Sequence, residues 1–317
     1  MSLSFSDLLG IILPIFLIIG LGVLCRRGGL LTKEADTSLL KLTVNVLLPC
    51  LALHVILGNK SLLEPRNVLL PPLFGFVSIL LATGLAWLAS RFLGIGLPAR
   101  RAFSFCTGIQ NYGYVPLPIC LVLFGKDTAA VLFGFSMGVE LAFWLVGVTV
   151  LTGTNFSKAW RRIFTPPVLA ILMGLILNFM NPDAWLPGWA GETFTMLGSA
   201  AVPLALLLTG AMFADFSNPF KFLEKKRIIL TSLFLRVFLM PILMLCFAKW
   251  VWMSPELRIV LMVQAAMPAA VAPVAITRYF SGDIETASRV VLGNTLFGLV
   301  SIPFWLQFGS RFLEIFP

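Results

Sequence analysis

Ten long apolar stretches, separated by short polar gaps, restrict this chain of 317 residues to a lipid environment. A helix that crosses a bilayer needs about 20 mostly apolar residues, since each backbone polar group must find its partner inside the helix. With 59% hydrophobic and 12% charged residues, the chain also lacks the polar surface of a soluble protein. We predict an all-α integral membrane protein. The predicted crossings lie near residues 6–25, 37–57, 67–92, 101–124, 129–151, 166–180, 193–214, 228–249, 257–278 and 287–308.

Positive charge is distributed unequally between the gaps. Sixteen Lys and Arg residues fall in one set of alternate gaps, and six fall in the other. Because cytoplasmic loops are enriched in Lys and Arg, both termini are expected outside, across a bacterial inner membrane or a plasma membrane. The same asymmetry accounts for the net charge of +9 without a nucleic-acid partner. No gap is long enough for a soluble domain, so we expect the function to lie within the bilayer.

Two pairs of matching prolines indicate an internal repeat. Pro49 matches Pro203, and Pro116 matches Pro273 at nearly the same spacing. Since each half would hold five crossings, an odd number, the halves would enter the membrane from opposite sides. Secondary transporters use such inverted repeats, with a binding site where the halves meet. Chance likeness between leucine-rich helices is the alternative. The predicted halves are residues 1–155 and 156–317.

Clustered prolines interrupt the fourth and ninth crossings. Residues 107–118 read TGIQNYGYVPLP, and residues 264–273 read QAAMPAAVAP. Proline inside a helix costs about 3 kcal/mol or more, so we predict that both helices break and open a cavity at the midplane. Their N-terminal ends would suit a carboxylate and their carbonyl ends a cation such as Na⁺. An ordinary proline kink is the alternative.

The candidate substrate-binding residues are the polar, glycine and proline positions at these breaks. Asn111 is expected to contact substrate, with capping of the broken helix as the alternative. No catalytic or metal-binding residue is expected, because a lone histidine and a single deep acid do not form the constellation of a membrane-embedded enzyme. The candidates are Thr107, Gln110, Asn111, Tyr112, Gly113, Pro116, Gln264, Met267, Pro268 and Pro273.

Glu140 and Arg236 are the charged residues that lie furthest from the ends of the predicted crossings. Glu140 is near the middle of the fifth, where a charge costs roughly 2.5–3.5 kcal/mol on insertion scales, so it should be partnered, protonated or facing water. We consider it a candidate for proton coupling, with a structural hydrogen bond, cation binding and substrate recognition as alternatives. Arg236 lies in the eighth crossing, and we expect its long side chain to reach the cytoplasmic interface. Contact with an anionic substrate is the alternative.

Three segments resemble the auxin efflux carrier family, which includes plant auxin exporters and bacterial permeases. They are residues 13–49, the run from Asn111 to Gly125, and the run from Pro273 to Pro303. The resemblance implies two inverted repeats, crossed broken helices four and nine, and elevator-type movement. It also implies a scaffold of crossings 1, 2, 6 and 7 that often dimerises, a mobile bundle of crossings 3–5 and 8–10, and Asn45 as part of the site wall. For Asn45, a bond to a neighbouring helix is the alternative.

The second break departs from the plant exporters, which carry an asparagine there that faces the substrate carboxylate. This chain has Met267-Pro268-Ala269-Ala270 instead, which argues against auxin-like specificity. We expect a secondary transporter or permease for a small organic anion, without a cofactor, with H⁺ and Na⁺ both open as coupling ions. A sodium-coupled symporter of the bile acid type, and a sensor or scaffold without transport, are the alternatives. The expected partners are the anion, the bilayer and a second copy of the chain.

Overall fold

The computed structural model describes residues 4–153, 163–181, 185–215 and 225–315. Apart from one isolated β-bridge, the regular structure of these residues is helical, so the all-helical prediction is confirmed. The predicted boundary at residues 155/156 lies outside the described residues. The helices are α1 (Phe5–Arg27), α2 (Lys33–Ile56), α3 (Pro65–Ser90), α4 (Leu97–Gly108), α5 (Pro116–Thr152), α6 (Pro166–Phe179), α7 (Gly188–Ala214), α8 (Lys226–Trp250), α9 (Pro255–Ala265), α10 (Ala272–Tyr279) and α11 (Ile284–Phe312).

Seven of these helices are long and apolar enough to cross a membrane, namely α1, α2, α3, α5, α7, α8 and α11. Helix α6 is apolar but shorter, with 14 residues. Apart from the fourth, fifth and ninth, the predicted apolar stretches coincide with single helices to within about five residues. The stretch 166–180, for example, becomes Pro166–Phe179. Hydropathy located the helices well because a lipid-exposed segment must pair its backbone groups internally.

A bend at Gly125 replaces the polar gap that the sequence predicted between the fourth and fifth crossings. Helix α5 runs for 37 residues, or about 55 Å at the usual helical rise, whereas the hydrocarbon core is about 30 Å thick. The run is not straight, because Gly125 has φ 80° and ψ −174°. Glycine alone reaches this region without strain. The chain therefore turns at one residue and re-enters a helix at Lys126 without a loop.

Close contacts at glycine hold α1 against α7. A Cβ at Gly22 would clash with the Leu207 carbonyl oxygen, and one at Gly210 would clash with the Ile19 carbonyl oxygen. Helices α3 and α5 meet in the same way at Gly75. Helices in lipid gain no hydrophobic drive from one another, so small residues that let backbones approach supply the packing.

An ion cluster joins the ends of α1, α2 and α7. Arg26 pairs with Asp36, and its Nε lies 3.4 Å from the Asp215 carboxylate. Arg26 also donates to the Leu31 carbonyl oxygen, at 2.5 Å. The cluster therefore fixes three helix ends on the side that the loop charges predict to be cytoplasmic.

A pair of asparagines joins α2, α6 and the bend of α5 on the other side. The backbone N–H of Asn59 donates to Asn178 Oδ1 at 3.1 Å, and Asn178 Nδ2 donates to the Asn59 carbonyl oxygen at 2.9 Å. Asn59 Nδ2 also donates to the Lys126 carbonyl oxygen at 3.3 Å. The two side chains thereby satisfy backbone groups that the helix ends leave open.

Candidate functional site

Both helices with clustered prolines are broken, as the sequence predicts. Helix α4 ends at Gly108 and α5 begins at Pro116. Helix α9 ends at Ala265 and α10 begins at Ala272. The breaks are therefore residues 109–115 and 266–271, and we call the place where they meet the crossing site.

The two breaks pair with each other as a short antiparallel bridge between Gln110 and Ala269. The N–H of Asn111 donates to the Pro268 carbonyl oxygen at 2.8 Å, and the N–H of Ala270 donates to the Ile109 carbonyl oxygen at 2.9 Å. An unsatisfied backbone group in the hydrocarbon core costs several kcal/mol. Each break therefore supplies the partners that the other lost when its helix ended.

Helices α5 and α10 start at the crossing site, so their N-terminal N–H groups and positive dipole ends lie there. Asn111 Oδ1 accepts a hydrogen bond from the Val115 N–H at 3.4 Å. This is the capping role that the sequence left as the alternative for Asn111, and its contact with substrate stays a prediction. Gly113 lies beside it, and a Cβ there would meet no atom within 4 Å.

A chain of three buried polar side chains crosses the site. Arg236 of α8 donates from Nη2 to Gln110 Oε1 at 2.7 Å, and Gln110 Nε2 donates to Gln264 Oε1 at 2.9 Å. Since a guanidinium only donates, Gln110 must turn its oxygen to Arg236 and its nitrogen to Gln264. This direction leaves Gln264 Nε2 without an acceptor, and Arg236 Nε also has none among the described residues.

Arg236 therefore does not reach the cytoplasmic interface, and that expectation was wrong. Its side chain is 3% exposed and points to the break between α4 and α5. The interval Phe234–Leu239 of α8 is a π-helix, and such irregularities are frequent at functional sites. The prediction that Arg236 reaches the interface used only the position of this residue along α8. The rotation of α8 about its own axis directs the side chain inward instead.

Glu140 of α5 is partnered beside the crossing site. Tyr112 Oη donates to Glu140 Oε2 at 2.6 Å, and Trp144 Nε1 donates to Oε1 at 3.0 Å. Ser136 donates to the Tyr112 carbonyl oxygen at 2.9 Å. Glu140 is thus linked through Tyr112 to the same break that carries Gln110.

A second cluster of polar side chains, of which the sequence analysis identified only Thr107, joins α4, α8 and α11. Thr107 Oγ1 donates to Ser232 Oγ at 3.0 Å, and Asn294 Nδ2 donates to the same oxygen at 2.8 Å. All three side chains are buried. Thr107 therefore bonds to α8 rather than to Asn111. A carboxamide within the apolar run of α11 is the signal that would have pointed to Asn294.

Of the remaining candidate residues, four lie in the breaks or in the helical turns next to them, and Asn45 lies elsewhere, in α2. Pro268 supplies a carbonyl oxygen to the bridge, and Met267 is buried beside it. Pro116 and Pro273 are buried in the first turns of α5 and α10. Asn45 is exposed in a π-helical segment of α2. It takes part in none of the hydrogen bonds that hold the crossing site together among the described residues.

Two broken helices that meet in the interior of a helical membrane protein are typical of secondary transporters. The chain is a member of the membrane transport protein family, whose model matches residues 8–155 and 153–306. The resemblance to auxin efflux carriers is thereby confirmed. The chain is also 25% identical over 299 residues to an uncharacterized transporter of Methanothermobacter thermautotrophicus, covering 93% of this chain and 96% of that relative.

Proposed function

We propose that this protein is a secondary transporter that carries a small organic anion, such as a mono- or dicarboxylate, through the crossing site. The antiparallel pairing of the two breaks is the observation that carries the proposal. It brings the N-terminal ends of α5 and α10 together, and each such end stabilises an anion by roughly 0.3–1 kcal/mol, or up to about 2 kcal/mol when partly buried. The Arg236 guanidinium adds a full positive charge to this site.

The proposal includes ten crossings arranged as inverted halves, 1–155 and 156–317. Asn111 and Pro268, which share a backbone hydrogen bond, are as far apart in sequence as Pro116 and Pro273. The bonded residues are thus equivalents in the predicted repeat. Equivalent residues meet at a two-fold axis, so the bond supports the inverted arrangement.

We also propose an elevator movement in which crossings 3–5 and 8–10 move against a scaffold of crossings 1, 2, 6 and 7. In support, α7 packs extensively on α1 and α2, and α2 packs on α6. Helix α3 packs on α4 and on α9, and all three of these helices pack on α5. The scaffold would dimerise through apolar residues that it exposes, such as Leu17 and Leu21 of α1.

Proton coupling through Glu140 belongs to the same proposal. The Tyr112 hydroxyl connects this acid to the first break, so its charge and the occupancy of the crossing site can influence each other. Neither the family match nor the relative favours the sodium-coupled symporter of the bile acid type. The proposed location is the inner or plasma membrane with both termini outside, because the alternate gaps hold sixteen and six basic residues.

Uptake into proteoliposomes tests the proposed function. Purified full-length protein should take up at least one of acetate, malonate, succinate and phenylacetate above the rate of protein-free liposomes. Asn111→Ala should lower that rate at least tenfold, whereas Ser199→Ala, on an exposed position of α7, should match the wild type. Thermal unfolding of each variant checks that the lost cap, typically about 1 kcal/mol, has not unfolded the protein. If the wild type moves none of these acids, the proposal of a carboxylate carrier fails.

A further inference from the structure

Arg236 carries a positive charge into the interior without a carboxylate partner. Among the described residues, no Asp or Glu lies within ion-pair distance of its guanidinium. Arginine keeps its proton in proteins, and burial of an unpaired charge is strongly unfavourable. The Gln110 oxygen at 2.7 Å supplies a dipole but no countercharge. The Arg236 guanidinium therefore has no anionic partner among the described residues.

Two donors at the ends of the Arg236–Gln110–Gln264 chain have no acceptor. Arg236 Nε and Gln264 Nε2 are each shielded from solvent and unpartnered among the described residues. Both side chains are at least nine-tenths buried. Buried polar groups are almost always hydrogen-bonded, so two open donors in one chain of hydrogen bonds indicate a site whose acceptor is missing.

We propose that Arg236 is the substrate-binding cation of the crossing site, and that with Gln264 it binds a carboxylate group of the substrate. The inference rests on the proposed function and assigns its specificity for acids to one side chain. The planar guanidinium donates two parallel hydrogen bonds to a carboxylate, and Gln264 Nε2 donates a third. Since both donors are shielded in this structure, the carboxylate reaches them in another step of the transport cycle.

A comparison of acids with their neutral amides tests the role of Arg236. Binding of malonate and malonamide, succinate and succinamide, and phenylacetate and phenylacetamide is titrated calorimetrically with full-length protein in lipid nanodiscs. The wild type should bind an acid much more tightly than its amide. Arg236→Gln should weaken the acid at least tenfold, equivalent to about 1.4 kcal/mol, and change the amide less than twofold. The matched control is Arg66→Gln, which removes an exposed arginine that stacks on Trp252.

The outcomes separate this inference from the proposed function. If folded Arg236→Gln binds the acid like the wild type, or loses acid and amide equally, Arg236 is not the carboxylate receptor, although the protein is still a carboxylate carrier. If the wild type neither binds nor transports any of the acids, the proposed function fails first. Should Arg236→Gln not fold, Arg236→Lys and Gln264→Leu decide. Both should weaken the acid at least threefold, and unchanged binding in both variants overturns the inference.

Discussion

Glu140 and Arg236 are ionisable side chains in the middle of membrane-spanning helices, and they differ in their hydrogen-bond partners. Glu140 accepts hydrogen bonds from Tyr112 and Trp144, so its carboxyl group has partners within its own region of the protein. Arg236 donates to one amide oxygen, and its Nε has no acceptor among the residues that the structure describes. The carboxyl group of Glu140 is therefore hydrogen-bonded on both oxygens, whereas Arg236 keeps an open donor, on which its proposed contact with a carboxylate rests.

Glu140→Gln should separate coupling from transport. Glutamine keeps the size and one acceptor of the side chain, but it cannot take up or release a proton at neutral pH. We expect accumulation driven by a pH gradient in proteoliposomes to fall at least tenfold. Exchange of the same acid at equal pH on both sides should stay within threefold of the wild type. Tyr112→Phe, which keeps the acid but removes the hydroxyl that links it to the first break, should lower gradient-driven uptake less than Glu140→Gln does. Full pH-driven uptake by Glu140→Gln would show that Glu140 is not the coupling residue.

Helices α1 and α7 approach closely because glycine occupies their contact. The clash of a Cβ at Gly22 would be with backbone of α7, which cannot move aside as a flexible side chain can. Other glycines of α1 face open space, as at Gly20, where a Cβ would meet nothing within 4 Å. Of these two glycines, only Gly22 is required by the contact between α1 and α7.

Gly22→Ala and Gly20→Ala form a matched pair within α1. Alanine favours a helix by about 1 kcal/mol over glycine, so Gly20→Ala should leave the apparent unfolding temperature unchanged or slightly raised. Overpacking costs typically about 1–3 kcal/mol, so Gly22→Ala should lower it. Thermal unfolding of both variants in detergent, followed by intrinsic tryptophan fluorescence, makes the comparison. Equal unfolding temperatures would mean that α1 and α7 separate freely at this contact.

The two ends of the molecule are held together by different polar groups. The cluster of Arg26, Asp36 and Asp215 lies at one end, and the Asn59–Asn178 pair lies at the other. Basic residues in the loops predict that the first end is cytoplasmic. The hydropathy of the helices does not predict which end faces the cytoplasm, because it is the same in both directions along a crossing.

Cysteine labelling tests this orientation. In a chain whose five cysteines are replaced, a single cysteine at Lys60 or Lys126 should react with a membrane-impermeant maleimide in intact cells. A single cysteine at Arg91 or Arg278 should react only after the cells are permeabilised. The reverse pattern would place both termini in the cytoplasm. Uptake assays on each single-cysteine variant check that the labelled protein is folded.

Much of the fold could be predicted from the sequence because its causes are local. An apolar stretch must be helical in lipid, and prolines must interrupt it, so the helices and the two breaks were found near their true places. Gly125 was read as part of a gap because composition alone does not distinguish a loop from a single bend. The exposure of the Asn45 side chain and the hydrogen bond between Thr107 and Ser232 could not be predicted, because both depend on the rotation of each helix about its own axis.

By itself, the sequence determined that this protein is a helical membrane protein, where its apolar helices lie and where two of them break. These are properties of short segments in a solvent that cannot hydrogen-bond to the backbone. Only the tertiary structure decided that the breaks pair with each other and that Arg236 meets Gln110. These two residues are 126 positions apart. Whether they meet depends on the rotation and crossing of α8 and α4, which contacts along the whole length of several helices determine together.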